Sequence, residues 1–283
     1  MILITVFYFF INYNFNIDKI NMKGEIYSMF CEEFNSVVMA GKAKVNLLKT
    51  NGLGYFISSM LAGFYVGMGI ILIFTIGGLL NSSGSPATKI VMGASFGIAL
   101  SLVIMAGSEL FTGNNFIMTA ASLSKEVKWT DTINVWIVCF IGNLLGSIIA
   151  GYMFYATGLS AGPVGEFISK TSAAKMSIPF WPLLMRGIFC NILVCLATWC
   201  SFKLKSESGK LIIIFWCLFA FITSGFEHSV ANMTLLTIGL LNPGVASVSI
   251  MGYVYNIGVV TIGNMIGGAI FLALPYYIIS KKK

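Results

Sequence analysis

Charge is what this 283-residue sequence lacks: only 10% of its residues are Asp, Glu, Lys or Arg, against roughly 25% in a soluble domain. Ten carboxylates and seventeen basic residues cannot cover the surface of a water-soluble protein of this length, which excludes a soluble globular fold. Histidine is nearly absent. His228 stands alone, so the chain by itself cannot hold a haem between two histidines. The six cysteines form no CxxC pair, and Cys190, Cys195 and Cys200 step by five, which spreads their sulfurs around a helix. No metal site and no cofactor is expected from such a set, which argues against an enzyme. The net charge of +7 comes from basic residues lying between apolar blocks and not interleaved with aromatics, so no nucleic-acid partner is expected either.

What is there is apolar. Hydrophobic residues make up 57% of the chain, with 30 glycines and 23 phenylalanines, and the solvent they call for is a lipid bilayer. Six segments, 54–80, 90–123, 132–159, 176–202, 211–241 and 251–279, each exceed the roughly 20 residues that cross a hydrocarbon core. Six crossings put both termini on one side. That side takes Lys19, Lys23, Lys42, Lys44, Lys49, Lys125, Lys128, Lys203, Lys205, Lys210 and Lys281–Lys283, leaving Lys89, Lys170 and Lys175 for the other. The excess of lysine marks the cytoplasm, so both termini are expected there. Residues 1–26 hold an apolar run too short to span and read as a disordered extension; 27–49 read as a helix on the cytoplasmic surface, and 50–283 as the membrane domain.

The sequence repeats itself. Gly107-Ser-Glu-Leu-Phe-Thr-Gly-Asn114 aligns with Gly225-Phe-Glu-His-Ser-Val-Ala-Asn232, and Ile141-Gly-Asn-Leu-Leu-Gly146 with Ile262-Gly-Asn-Met-Ile-Gly267. Two three-span repeats follow, about 54–159 and 176–279. Three being odd, the second enters the membrane from the opposite face, an inverted arrangement. As continuous helices the second and fifth segments would run to about 50 Å through a core of about 30 Å, so each is expected to break near its Gly, Glu and Asn. Irregular backbone at that depth is tolerated where it lines a cavity, which points to a translocation path between the breaks.

Only Glu109, Arg186, Glu227 and His228 place ionisable groups well inside spans. The glutamates, with Asn114 and Asn232, are read as structural at the breaks, their carboxylates accepting freed backbone N–H groups; a proton relay is the alternative. Arg186 is expected to snorkel outward or to pair with a glutamate. His228 replaces the Leu110 of the first repeat and brings the one side chain that exchanges protons readily near neutral pH, so a place on the pathway is expected for it. Thr112 is a second polar contact. Phe96, Leu100 and Phe221 could narrow a pore, although each taken alone reads as packing.

These strings, GSELFTGN, RGIFCNILVCLATW (186–199), GFEHSVANM (225–233) and IGNMIGG (262–268), in this order and spacing, resemble the formate/nitrite transporter family over about residues 30–280. The resemblance implies an all-α, aquaporin-like fold assembled as a homopentamer in a bacterial plasma membrane. Each subunit would then carry a pore for a small monovalent anion. Carried over by position, Leu110, Thr112, Phe96, Leu100, Phe221, His228 and Asn191 match the family's pore residues. Lys175, near the outer end of the fourth span, matches a lysine that attracts the anion. Glu109 stands where formate channels commonly have Asp, which counts against formate. The GSELFTGN break and the Arg-Gly-Ile run look most like the family's hydrosulfide channels. The expected function is therefore a channel for weak-acid anions, hydrosulfide first, passing His228 with transient protonation. A formate or nitrite channel, a proton-coupled carrier and, from another class, a membrane-embedded enzyme subunit are the alternatives.

Overall fold

The computed structural model describes residues 30–280 apart from 245, and the backbone alone of 19–20 and 26–27. Lys19–Ile20 and Ile26–Tyr27 form an antiparallel pair, and the rest of the expected extension, 1–26, lies outside the described residues. The other regular elements among the described residues are helices. Helix α1 (Cys31–Thr50) precedes α2 (Gly52–Ser82), which is followed by α3 (Thr88–Ser95), α4 (Gly97–Met105) and α5 (Phe111–Leu123). Then come α6 (Trp129–Ala156), α7 (Gly162–Met176), α8 (Phe180–Lys203), α9 (Glu207–Ser224), α10 (Ser229–Leu241) and α11 (Ile250–Gly268). The last continues through a π-helical turn, Ala269–Ala273, into α12 (Leu274–Ser280). Among the described residues six helical stretches are long and apolar enough to cross a membrane: α2, α3–α4, α6, α8, α9 and α11–α12.

The second and fifth of these stop short. After α4 the chain turns at Gly107 (φ 79°) and runs extended through Leu110 before α5 begins; after α9 it turns at Gly225 (φ 79°) and runs extended through His228 before α10 begins. A positive φ is comfortable only without a Cβ, which is why glycine opens both breaks. Phe96 adds an interruption the sequence did not announce, separating α3 from α4 with Ala99 N–H bonded to Phe96 O at 3.0 Å.

The fourth span also differs from its expected limits of 176–202. Ser177, Ile178 and Pro179 end α7 and start α8 afresh, because proline disfavours helix in the residue before it. Lys175 therefore lies in the last turn of a connecting helix, α7, and not on the fourth span.

Several helix pairs approach closely enough to need glycine. A Cβ on Gly146 of α6 would land on the Met60 carbonyl of α2, and one on Gly263 of α11 would lie 2.6 Å from the Leu184 carbonyl of α8. Small residues let membrane helices meet backbone to backbone, where van der Waals packing is the main attraction available. The α5 and α10 half-helices pack inside this frame, buried on nearly all sides.

Candidate functional site

Each break leaves backbone groups without helical partners, and an asparagine from the next span takes them up. Phe111 N–H donates to Asn143 Oδ1 at 2.9 Å, while Asn143 Nδ2 donates to Ser59 O (2.7 Å) and Glu109 O (2.9 Å). At the other break Ser229 N–H donates to Asn264 Oδ1 at 2.9 Å, and Asn264 Nδ2 donates to Gly187 O (2.7 Å) and Glu227 O (3.0 Å). The role expected of the two glutamate carboxylates, capping freed backbone N–H groups, thus falls to Asn143 and Asn264. A neutral carboxamide offers a donor and an acceptor at once, and the break needs both.

The carboxylates hold cations instead. Lys44 Nζ from α1 lies 2.7 Å from both oxygens of Glu109, and Asn114 Nδ2 donates to Glu109 Oε2 at 3.0 Å. Lys175 Nζ from α7 lies 2.7 Å from Glu227 Oε2, which also accepts from Asn232 Nδ2 at 2.6 Å. Tyr55 OH and Asn256 Oδ1 take further bonds from Asn114 and Asn232, at 3.1 and 2.9 Å. Sequence reasoning missed Lys44, Tyr55 and Asn256. Arg186 pairs with neither glutamate: its side chain is exposed on the outside of α8, and its carbonyl accepts Glu227 N–H at 3.2 Å.

The two half-helices meet at their starting ends. Thr112 Oγ1 on α5 lies 3.0 Å from His228 Nε2, the residue before α10. Ala231 N–H donates to His228 Nδ1 at 3.1 Å, so that nitrogen is an acceptor and the ring proton sits on Nε2, donated to Thr112. The Thr112 hydroxyl hydrogen is then free to turn elsewhere. Thr112, Gly113 and Val230 N–H groups also make no bond among the described residues, and the positive ends of both helix dipoles converge here.

Around this point Phe96, Leu100, Leu110, Phe221 and His228 line one small cavity, of about 10 Å³, with Val66, Ala99, Val194 and Leu218. Phe221 stacks on His228 (centroids 6.1 Å, planes 18° apart) and takes Phe96 edge-on at 5.5 Å. Leu100 and Leu110 also form the floor of a larger cavity, about 460 Å³, that opens beside Lys44, Glu109 and Lys210. Thr112, fully buried behind His228, is not among the lining residues, and neither is Asn191. Fully buried, it donates to Thr112 O (3.1 Å), Asn115 Oδ1 (3.2 Å) and Asn264 O (2.7 Å), a crosspiece between the two breaks. Among the described residues no group of three His, Cys, Asp or Glu is placed to hold a metal.

Two broken helices, an asparagine clamp at each and a histidine between them form a combination that can be compared with known proteins. Residues 32–278 match the formate/nitrite transporter family. The chain belongs to this family. Nitrite transporter NirC of Escherichia coli (strain K12) is 40% identical over 259 residues, covering 90% of this chain and 94% of that protein. A solved FNT family ion channel superposes with TM-score 0.84 at 37% identity, covering 88% of this chain and 99% of the other. A pentameric formate channel with formate bound gives 0.71 at 26% identity, over 82% and 98%. The family consists of transporters and channels for small anions, and this chain is accordingly a multi-pass membrane protein of that kind. None of these three relatives is named as a hydrosulfide channel, so the finer likeness expected from the GSELFTGN string stays a matter of substrate.

Proposed function

We propose that the protein is a channel for small monovalent weak-acid anions, passing between the cavity beside Lys44 and the Lys175 side through the Thr112–His228 contact. The observation that carries this reading is the apolar cavity at the meeting point of two helix starts. A bare anion entering a slot of Phe96, Leu100, Leu110 and Phe221 loses its water at a cost of many kcal/mol. The N–H groups of Thr112, Gly113 and Val230, which make no bond among the described residues, the Thr112 hydroxyl and two dipole ends offset part of that cost without a fixed charge that would trap the ion. Desolvation raises the proton affinity of the anion, so it takes a proton from the water at the mouth of the slot, crosses the Phe and Leu ring as the neutral acid and returns the proton to water on the other side. A strong-acid anion such as chloride has no such route.

Hydrosulfide, nitrite and formate all satisfy this chemistry. The resemblance of the GSELFTGN and Arg-Gly-Ile strings favours hydrosulfide as the preferred permeant; the 40% identity to a nitrite transporter favours nitrite as the second reading. The matched asparagine clamps and the matched Lys–Glu–Asn sets support an inverted repeat of three and three spans, aquaporin-like in plan. The pentameric neighbour supports a homopentamer, the bacterial relatives an inner-membrane location, and the lysine distribution cytoplasmic termini.

Proteoliposome flux of hydrosulfide, nitrite, formate and chloride across a pH series, corrected for protein-free vesicles, tests the proposal. Weak-acid fluxes should rise as pH falls and chloride should stay at background. Chloride flux equal to that of nitrite, or fluxes indifferent to pH, would overturn it.

A further inference from the structure

Arg186 has no counter-charge among the described residues. It is the seventh residue of α8, its side chain is exposed, and it forms no ion pair or side-chain hydrogen bond among the described residues. Other exposed charged groups of the spanning helices, such as Lys89, Lys203 and Glu207, sit in first or last turns, where water is at hand. Glu109, Glu227 and His228 lie deeper but are turned inward and bonded. Among the described residues Arg186 is alone in standing more than one turn inside a span and facing out. A guanidinium left so in hydrocarbon is expensive and must find an anion.

The helix itself decides where that anion lies. Helix α8 starts at Phe180, and Phe180 and Trp181 are 44% and 67% exposed, as aromatics at a membrane interface are. Arg186 lies about 9 Å further along the axis. In a helix each Cα–Cβ bond tilts toward the N-terminus, so the stem of Arg186 leans back toward Pro182 and the Phe180 end, and its reach brings the guanidinium to the level of the aromatics. That is the level of the lipid phosphates.

Among the described residues nothing on that side competes. On this side of the molecule the described acids are Glu227, 3% exposed and held by Lys175, and Glu166 of α7, beside Lys170 at 3.6 Å. Glu109, Glu126, Asp131 and Glu207 are already paired with lysines near the opposite face, where Glu32 and Glu33 of the first turn of α1 also lie. A neighbouring copy of the chain would bring the same short supply. We propose that Arg186 binds the phosphodiester of a glycerophospholipid in the leaflet on the Lys175 side, its planar fork meeting two phosphate oxygens. The site does not depend on what the pore conducts. It does touch the pore's frame, because the turn that carries Arg186 also accepts Glu227 N–H through its carbonyl.

Native mass spectrometry of the full chain in detergent, titrated separately with phosphatidylglycerol and with a phosphate-free galactosyl diacylglycerol of the same acyl chains, tests this. The wild type should retain phosphatidylglycerol and not the galactolipid. Arg186→Gln should weaken phosphatidylglycerol retention about tenfold and Arg186→Lys less, as loss of a bidentate charged contact would. Equal retention of both lipids by the wild type needs no variant to overturn the proposal. Undiminished retention in Arg186→Gln would overturn it too. So would dissociation of that variant into smaller assemblies with lipid bound per chain unchanged, which would assign the arginine to a contact between copies.

Discussion

At the scale of single residues, the site turns on which atoms are already committed. His228 accepts at Nδ1 from Ala231 N–H and donates from Nε2 to Thr112, so it acts as a fixed neutral donor and cap, and a proton at Nδ1 would break the start of α10. His228→Phe should therefore abolish nitrite flux in proteoliposomes while the protein still purifies as a single species; retained flux would remove the histidine from the path. Thr112→Val leaves the Nε2 proton without an acceptor, at a cost of about 1–3 kcal/mol, and should lower flux about tenfold or more. Sequence alone made His228 visible, because a single histidine interrupting a repeat stands out. It could not separate Lys44 from Lys42. At 100° per residue both lie about 80° from the centre of the stripe formed by Phe34, Val37, Val38, Gly41 and Val45, on opposite flanks. Only the docking of α1 turns Lys44 to the part-buried Glu109 and Lys42 to the exposed Glu126.

Elements are held by short-range fits that a substitution can test. Lys44 ties α1 to the first break: Lys44→Met strands a part-buried carboxylate and should lower the melting temperature clearly. Adding Glu109→Gln should recover most of that loss, because a neutral amide still accepts from Asn114 and needs no cation. A double-mutant cycle by thermal denaturation in detergent measures the coupling, and additive effects would show that the pair does not matter. Asn143→Leu and Asn264→Leu each remove three bonds at a break and should destabilise the protein more than Asn35→Leu on the exposed face of α1. Gly263→Ala drives a methyl group into the Leu184 carbonyl and should reduce folded yield. The breaks were legible in the chain because Gly, Glu and Asn at mid-span contradict an unbroken helix. The split at Phe96 was not singled out, although Gly93, Ser95 and Gly97 around it are weak helix formers, because glycine recurs throughout these spans; the two halves pack against α2 and α9.

For the whole molecule, the proposed homopentamer predicts a particle of five times the chain mass by light scattering with detergent subtracted, and a monomer would contradict it. The scarcity of charge decided, with no structure in hand, that lipid is the solvent, that six segments cross it and that two of them break, because an apolar core of fixed thickness admits few other arrangements. The recurring Gly-x-Glu and Gly-Asn strings decided which pieces correspond. What only the tertiary structure decided is who meets whom across the breaks. Lys44 reaches Glu109 from 65 residues away, Thr112 meets His228 from 116 away, and Asn143 and Asn264, not the glutamates, take the freed backbone. Local periodicity carries the thickness of the membrane and the handedness of a helix, but a hydrogen bond depends on a distance of about 3 Å between groups far apart in the chain, and that is set only when the helices pack.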